Sequence, residues 1–245
     1  MTGAEELRGR VADVTWFHTI DLGKGIVTPG IDPTPSRLEK IHLPADFSGM
    51  SVLDVGAWDG FFSFEAERRG AERVLAVDSF SWDGGGWGSK AGFELAHEAL
   101  GSHVESKSVD VLDLSPETVG VFDVVLFLGV LYHMQHPLLA LERVASVTGK
   151  LLIVETHVDL IRLRRPAAAF YPGPEMNRDA SNWWGPNPAA VEAMLGTVGF
   201  ERVEVVHRPR GFPFSVARGL RRKRRGGDRL RWAVNYGRMT AHAFR

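Results

Sequence analysis

Short apolar runs alternate with amphipathic stretches along the middle of the chain. The runs at 51–55, 73–78, 122–128 and 151–155 are almost continuous in apolar residues, as in strands buried on both faces of a parallel sheet, and a further strand is predicted near 104–109. The amphipathic stretches predict helices at 61–69, 90–100 and 137–147. This alternation predicts an α/β fold with a doubly wound parallel sheet and right-handed crossovers.

The pattern is less regular on both sides of this core. Residues 1–47, interrupted by prolines, are predicted to form an N-terminal extension or lid, and residues 48–245 the main domain. Two inserts are predicted in that domain, at 158–187 and 208–231. The remaining predicted elements are a helix at 189–198, a strand at 200–206 and a last strand within 232–244.

Composition restricts the class of protein. The 245 residues fit one α/β domain with additions. No apolar run approaches the roughly 18–20 residues that cross a bilayer, and the polar, acidic stretch Met1–Arg10 does not predict a signal peptide. The chain has no cysteine, which excludes disulfides, thiolate catalysis and cysteine-ligated metals. We therefore expect a cytoplasmic protein without a membrane span.

The net charge of −1 conceals one strongly basic segment. Residues 208–231 carry ten Lys and Arg against one Asp, so the rest of the chain is acidic. Such a segment can attract phosphates or an anionic surface, and it can equally be a solvated loop.

A glycine loop follows the first predicted strand. Gly56 and Gly60 permit a tight turn and a close backbone approach to a ligand. Their G-x-x-x-G spacing differs from the G-x-G-x-x-G that wraps a dinucleotide pyrophosphate, which argues against a nicotinamide oxidoreductase. Asp78 ends the second predicted strand, where a carboxylate can accept both hydroxyls of a ribose. Asp110 follows the third strand and can reach an adenine amino group.

These residues carry a resemblance. The stretch V-L-D-V-G-A-W-D-G at 52–60, with Val77-Asp78 and Val109-Asp110-Val111, resembles the motifs of class I S-adenosylmethionine methyltransferases over about residues 50–156. The resemblance implies a Rossmann-like fold and S-adenosylmethionine as cofactor, with Asp54 orienting its ammonium. The residues expected to bind the cofactor are Trp16, Asp54, Gly56, Ala57, Trp58, Gly60, Asp78, Ser79, Asp110, Val111, Leu128 and Gly129.

A narrower resemblance rests on G-V-L-Y-H at 129–133. This stretch is similar to a group of methyltransferases that includes the wobble-uridine tRNA enzyme making 5-carboxymethoxyuridine, together with members that act on sugars and other small molecules. Trp16-Phe17-His18-Thr19-Ile20 and parts of 170–187 extend the similarity to about residues 16–206.

The chain differs from the tRNA enzyme of this group directly after the Tyr-His pair. That enzyme has two arginines after its Tyr-His, where this chain has Met134-Gln135. The arginines can pair with the extra carboxylate of a carboxylated cofactor. Lys24 is another cation available for such a pairing in this chain. Their loss favours ordinary S-adenosylmethionine and a small-molecule acceptor over tRNA, which remains the alternative.

Two histidines are candidate general bases for a hydroxyl acceptor. Histidine exchanges protons near neutral pH, and His133 lies just after the fourth strand, where the sulfonium is expected. His133 can instead satisfy a loop carbonyl. His18 is the second candidate, on the predicted lid, and is otherwise an exposed loop residue. Trp16 and Phe17 either close over adenosine or anchor the extension. A metal site of Glu155, His157 and Asp159 is conceivable but not favoured, so no metal is predicted.

The first insert offers aromatic faces with amide and carboxylate groups, a combination that suits a sugar ring. Its members and the tyrosine after strand four form the expected acceptor site, which comprises Tyr132, Tyr171, Glu175, Asn182, Trp183, Trp184 and Asn187. The same residues can pack the insert against the sheet, and a flat RNA base can stack there too. We expect O-methylation of a hydroxyl on a small molecule, such as a sugar of a natural product or glycolipid. The alternatives are a tRNA-modifying methyltransferase and a non-catalytic protein of the same fold.

Overall fold

The computed structural model of the chain describes residues 3–83, 88–209 and 235–245. The chain divides into two compact units, each built from two segments. Unit one comprises Met1–Phe127 and Ser146–Leu152, and unit two comprises Leu128–Ala145 and Ile153–Arg245. Most of the basic insert predicted at 208–231, and residues 84–87, lie outside the described residues.

Parallel strands dominate unit one. They are β1 (Ser51–Val55), β2 (Arg73–Asp78), β3 (Glu105–Ser108) and β4 (Phe122–Leu128). Strand β1 lies between β2 and β4, with Val52 opposite both Val74 and Val124. The apolar side chains of these strands are buried, as the continuous apolar runs predict.

Four helices accompany these strands in the described part of unit one: α1 (Gly3–Ala12), α2 (Thr34–Ile41), α3 (Phe61–Arg68) and α4 (Ala91–Leu100). The sequence prediction of α3 and α4 is confirmed to within a residue or so. Helices α1 and α2 were not predicted, since α1 is almost wholly polar and buries only Val11. Arg10 of α1 forms a bidentate pair with Glu98 of α4, at 2.8 and 2.6 Å, which docks this polar helix.

Unit two contains the second half of the chain. Its elements are α5 (Pro137–Ser146), β5 (Thr148–Val158), β6 (Ala168–Phe170), β7 (Trp184–Pro186), α6 (Pro188–Thr197), β8 (Arg202–His207) and β9 (Gly237–Phe244), with α5 and β5 each extending into unit one. Strands β8 and β9 are antiparallel, with Arg202 opposite Phe244. Strands β6 and β7 pair inside the first insert, with Phe170 opposite Trp184, and neither strand was predicted from the sequence.

The main strands form a seven-stranded sheet in the order β3-β2-β1-β4-β5-β9-β8. The predicted Rossmann-like α/β class is confirmed. Among the described residues, no helix combines the length and apolar character needed to cross a membrane.

Two glycines of unit two provide an internal test of the packing. A Cβ built at Gly185 of β7 lies 2.3 Å from the Tyr171 Oη and 2.8 Å from the Asp159 Cβ, so only glycine fits. A Cβ built at Gly196, inside α6, meets no atom within 4 Å.

Gly185→Ala should therefore lower the free energy of unfolding by about 2 kcal/mol, because the added methyl overpacks a buried site. Gly196→Ala should raise it by about 0.5 kcal/mol, because alanine restricts the unfolded chain and favours a helix. Urea titration of both variants measures the difference. Equal effects of the two substitutions would contradict the packing around Tyr171.

Candidate functional site

The loop between β1 and α3 folds back on the end of β2. The N–H groups of Gly56 and Ala57 both donate to the Val77 carbonyl, at 2.8 and 3.2 Å, and the Gly60 N–H donates to the Ala57 carbonyl at 2.8 Å. Gly56 and Gly60 have φ of 78° and 83°, and Trp58 between them has φ of 48°. A bulky residue in the left-handed region stores strain, which marks functional loops.

Three contacts hold Trp58 in this conformation. Its N–H donates to the Asp78 Oδ2 at 3.0 Å, and its carbonyl accepts from the Trp82 indole Nε1 at 2.7 Å. Its ring stacks on Phe17, with centroids 4.2 Å apart and planes 7° apart. The N–H, the carbonyl and the ring of Trp58 are thus each held by a neighbouring residue, which stabilises the strained backbone.

Gly60 has a packing role in addition to the tight turn predicted for it. A Cβ built there lies 2.6 Å from a Phe93 ring atom and 2.8 Å from a Phe64 ring atom. The missing side chain therefore makes room for two packed phenyl rings. Gly60 also supplies the left-handed residue that begins α3.

Asp78 lies where the sequence predicts it, at the carboxyl end of β2. Its Oδ2 accepts from Trp58, and its Oδ1 accepts from the Ser81 N–H at 2.9 Å. Burial raises the pKa of the Asp78 carboxyl. Hydrogen bonds from the Ser81 side chain and the Ser79 backbone also reach this carboxylate, and they lower its pKa against the effect of burial.

A second polar group lies beside it at the end of β3. The Ser79 Oγ donates to the Asp110 Oδ2 at 3.4 Å, and the Asp110 Oδ1 accepts from the Leu112 N–H at 2.9 Å, capping the short 3₁₀ turn Val111–Asp113. Asp110 is exposed and Val111 half-buried. Carboxylates thus follow two neighbouring parallel strands, β2 and β3, as predicted.

Asp54 is buried at the end of β1, and its Oδ2 accepts from the Ser63 hydroxyl at 2.6 Å. Burial raises the pKa of this carboxyl to about 7, and the nearby charge of Asp78 adds to the shift. Asp59 is the third buried acid of the loop region, and burial raises its pKa to about 6. Three clustered carboxylates disfavour a bound anion and favour a cation. This electrostatic setting fits a cofactor with a sulfonium and an ammonium, and does not fit a pyrophosphate.

The Asp54 shift has a consequence for stability. A carboxyl whose pKa is raised by folding stabilises the fold below its ordinary pKa, and that contribution is lost as the pH rises through about 7. Asp54→Asn keeps an acceptor for Ser63 and cannot ionise. It should raise the free energy of unfolding by roughly 2 kcal/mol near about pH 8 and by almost nothing near about pH 4. Urea titration at the two pH values measures this, and an equal gain at both would contradict it.

The N-terminal residues are anchors. Trp16 is 3% exposed and its indole Nε1 donates to the Val11 carbonyl at 2.9 Å, so it has little surface left for a cofactor. His18 is 4% exposed beside the Phe61 and Phe62 rings, and burial lowers its pKa to about 3. The alternative interpretation of His18 as an exposed loop residue is therefore wrong, and its burial disfavours a role as general base.

His133 of unit two lies in the short 3₁₀ turn Leu131–His133. Its Nδ1 is 3.1 Å from the Ser181 carbonyl oxygen and 3.0 Å from the Ser181 Oγ, which itself donates to the Asp179 Oδ1 at 2.5 Å. A carbonyl can only accept, and the single hydroxyl proton is committed to Asp179, so Nδ1 carries the proton and Nε2 the lone pair. Burial lowers the pKa of His133 to about 4, which keeps it neutral at physiological pH.

An arginine from the last strand joins this region, and sequence reasoning missed it. Arg238 of β9 makes a bidentate ion pair with the buried Glu155, and its Nη1 donates to the Tyr132 Oη at 3.3 Å. Its guanidinium also lies over the Tyr132 ring, 5.1 Å from the centroid. The Gly129 N–H, directly after Leu128, donates to the Glu155 carbonyl at 2.8 Å. No local motif surrounds Arg238, so only the β9 strand position could have suggested it.

The other two members of the conceivable metal set have different partners. The Tyr171 Oη donates to the Asp159 Oδ2 at 2.7 Å and lies 3.2 Å from the His157 Nε2. Glu155 is engaged by Arg238 instead. Within residues 3–83, 88–209 and 235–245, no group of three metal-ligating side chains is found.

Several predicted acceptor residues hold the insert together. Tyr171, Asn182 and Asn187 are buried. The Asn182 Nδ2 donates to the Met176 and Asp179 carbonyls, and Asn187 caps α6 through its Oδ1 while its Nδ2 donates to two further carbonyls. Their assignment to a substrate is therefore corrected, because their polar atoms are used internally. Glu175 is exposed and accepts from the Gly173 N–H.

Three aromatic side chains at the β6–β7 pair form what we call the aromatic cluster: Phe170, Trp183 and Trp184. Phe170 is 53% exposed, with its ring centroid 6.4 Å from that of Trp183 and 5.0 Å from that of Trp184. The Trp183 N–H donates to the Tyr132 carbonyl at 2.9 Å, and the Trp184 Nε1 donates to the Gln135 carbonyl at 3.2 Å. These bonds tie the cluster to the turn that carries His133.

Comparison with known proteins agrees with this geometry. Residues 33–200 match the family described as methyltransferase domain. The chain belongs to the methyltransferase domain family. The predicted class, a class I methyltransferase using S-adenosylmethionine and resembling the wobble-uridine enzyme, is confirmed.

The curated relatives include the tRNA U34 carboxymethyltransferases of Colwellia psychrerythraea and Pseudomonas aeruginosa. The first is 28% identical over 66% of this chain and 48% of the relative, and the second 29% identical over 67% and 49%. The chain thus spans about half the length of the curated relatives it matches.

Solved structures share the fold. The N-terminal domain of EvdMO1, determined in the presence of SAH and D-fucose, has a TM-score of 0.68 and 20% identity, covering 100% of this chain and 97% of that one. The [4+2]-cyclase SpnF has a TM-score of 0.57 and 19% identity, covering 99% and 92%.

Proposed function

We propose that this chain transfers a methyl group from S-adenosylmethionine to a hydroxyl of a small molecule, with a sugar as the first acceptor class to test. The observation that carries the proposal is the fixed tautomer of His133, a neutral histidine beside the aromatic cluster.

The cofactor is assigned to the acidic residues around the glycine loop. Asp78 would accept hydrogen bonds from the ribose hydroxyls, and Asp110 would accept one from the adenine amino group. Asp54 would orient the ammonium of the amino-acid tail. When bound, S-adenosylmethionine supplies a methyl group made electrophilic by its sulfonium.

His133 would take the proton of the acceptor hydroxyl. As the new C–O bond forms and the C–S bond breaks, the oxygen becomes the oxygen of a protonated ether, which is far more acidic than an imidazolium with a pKa of about 4. The proton therefore passes to the Nε2 without a strong base. Asp179 and Ser181 keep the Nδ1 protonated, which points the lone pair away from them.

The aromatic cluster would hold the acceptor next to this base. Aromatic rings stack on the C–H face of a sugar, and Tyr132 adds a hydroxyl already oriented by Arg238. The EvdMO1 domain, of the same fold, was determined in the presence of the sugar D-fucose, and this supports testing sugars first.

A labelled-methyl experiment tests the proposal. The purified chain is incubated with methyl-labelled S-adenosylmethionine and a mixture of hydroxylated small molecules and tRNA, and the label is then partitioned by ethanol precipitation. The proposal expects label in the soluble fraction. Label confined to the precipitated RNA would overturn it.

A tRNA acceptor is the second candidate, because the curated relatives are tRNA U34 carboxymethyltransferases. Met134 and Gln135 stand where that enzyme has two arginines, which argues against the carboxylated cofactor. Docking of tRNA predicts an affinity that falls steeply with salt. Absence of tRNA binding at low salt in a filter assay would eliminate this candidate.

A further inference from the structure

Asp59 carries contacts that cofactor chemistry does not explain. It is 1% exposed, and its Oδ2 accepts two consecutive backbone N–H groups, those of Phe17 at 2.7 Å and His18 at 2.8 Å. Its Oδ1 lies against Gly92, where a built Cβ would be only 2.7 Å away. The carboxylate is therefore enclosed, and its contacts join the N-terminal segment to the glycine loop.

The residue before Asp59 makes a matching contact. Trp58 stacks face to face on Phe17, so two neighbouring loop residues hold two neighbouring N-terminal residues. These residues are about forty positions apart in sequence. We call this four-residue arrangement, Phe17 and His18 against Trp58 and Asp59, the loop clasp.

Anchoring alone does not require a charge at this position. Burial raises the pKa of Asp59 to about 6, so its ionised form destabilises the fold at neutral pH. The groups that face it are the neutral His18, whose Nδ1 is 3.8 Å away, and the carboxylate of Asp78, while the charge of Arg37 acts on His18. An amide would hold the segment with less destabilisation, because its oxygen accepts the same N–H groups and it carries no charge.

The clasp acts on the one strained residue of the loop. Trp58 has a left-handed backbone, and its N–H donates to the Asp78 Oδ2. Phe17 fixes the side chain of Trp58, and Asp59 fixes the backbone to which Phe17 belongs. Loss of the clasp removes contacts that oppose relaxation of Trp58, and its relaxation withdraws a donor from Asp78.

We propose that Asp59 and Phe17 are positioning residues for the cofactor, which align the Asp78 carboxylate by holding Trp58 in its left-handed conformation. This inference rests on the proposed function, because it assigns Asp78 to the ribose.

The test measures the Kd of S-adenosylhomocysteine by calorimetry, with the wild-type chain first. Asp59→Ala and Phe17→Ala should each weaken binding by about fivefold, since each removes one side of the same clasp. The Kd of the double variant should be about that of the single variant with the larger effect, because both substitutions act on one element. Asp59→Asn keeps an oxygen that accepts both N–H groups and should restore binding to within about twofold of wild type.

Asp46→Ala is the matched control. Asp46 also accepts a backbone N–H, that of Ser48 at 2.8 Å, but in an exposed turn before β1. The Asp46→Ala variant should have the Kd of the wild-type chain. Circular dichroism verifies that both chains are folded to the same extent. If Asp59→Ala does not fold, Phe17→Leu and Asp59→Asn carry the test, with Phe17→Leu expected to bind about threefold more weakly.

The outcomes separate the two claims. A wild-type chain that does not bind S-adenosylhomocysteine contradicts the proposed function itself. A wild-type chain that binds, with clasp variants that change the Kd by less than about twofold while lowering Tm, contradicts only the positioning role and leaves a structural anchor. A Kd shift in the clasp variants without a shift in Asp46→Ala supports the inference.

Discussion

His133→Ala should lower kcat by at least about 100-fold, because the acceptor proton loses its destination as the C–O bond forms. The Kd of S-adenosylhomocysteine should stay within about twofold of wild type, because His133 is assigned to the acceptor proton and not to cofactor binding. Single-turnover rates and calorimetry measure the two quantities separately.

Asp179→Asn is the graded companion of that variant. It weakens the hydrogen bond from the Ser181 hydroxyl to residue 179. The proton on the His133 Nδ1 is then held less strictly, while the imidazole ring is still present. We expect a kcat loss of about fivefold. If His133→Ala lowers cofactor affinity as much as kcat, His133 is a structural residue and the base must be sought elsewhere.

Asp78→Ala should weaken S-adenosylmethionine binding by at least tenfold, about 1.4 kcal/mol or more. The substitution removes the acceptor for the ribose hydroxyls and also frees the N–H groups of Trp58 and Ser81. Glu105→Gln is the control, because this acid lies at the start of β3 in an exposed pair with Arg73. An unchanged affinity in Asp78→Ala would remove the ribose assignment.

The sheet of unit one could be predicted from the sequence because its signals are local. A parallel strand buried on both faces reads as a continuous apolar run, and β1, β2 and β4 lie at the predicted residues. The glycine loop and Asp78 follow from the same reasoning, since the carboxyl ends of parallel strands lie at one edge of the sheet.

Other features depend on contacts between residues distant in sequence. Asn182 and Asn187 look like ligand residues in the sequence, but their amides satisfy carbonyls of the insert. Arg238 is more than eighty positions from Glu155, and nothing near it predicts the pair. Trp58 lies in a predicted motif, yet its left-handed backbone depends on Phe17 and Asp78, which only the fold brings together.

The position of the methyl group in the product tests directly whether the chain methylates an oxygen with His133 as the base. The wild-type chain and His133→Ala are each incubated with methyl-labelled S-adenosylmethionine and the best small-molecule acceptor, and the product is fragmented in a mass spectrometer. We expect one labelled methyl on an oxygen of the acceptor, formed by the wild type and almost absent with His133→Ala. A methyl on carbon or nitrogen, a carboxymethyl group, or equal product from both chains would contradict it.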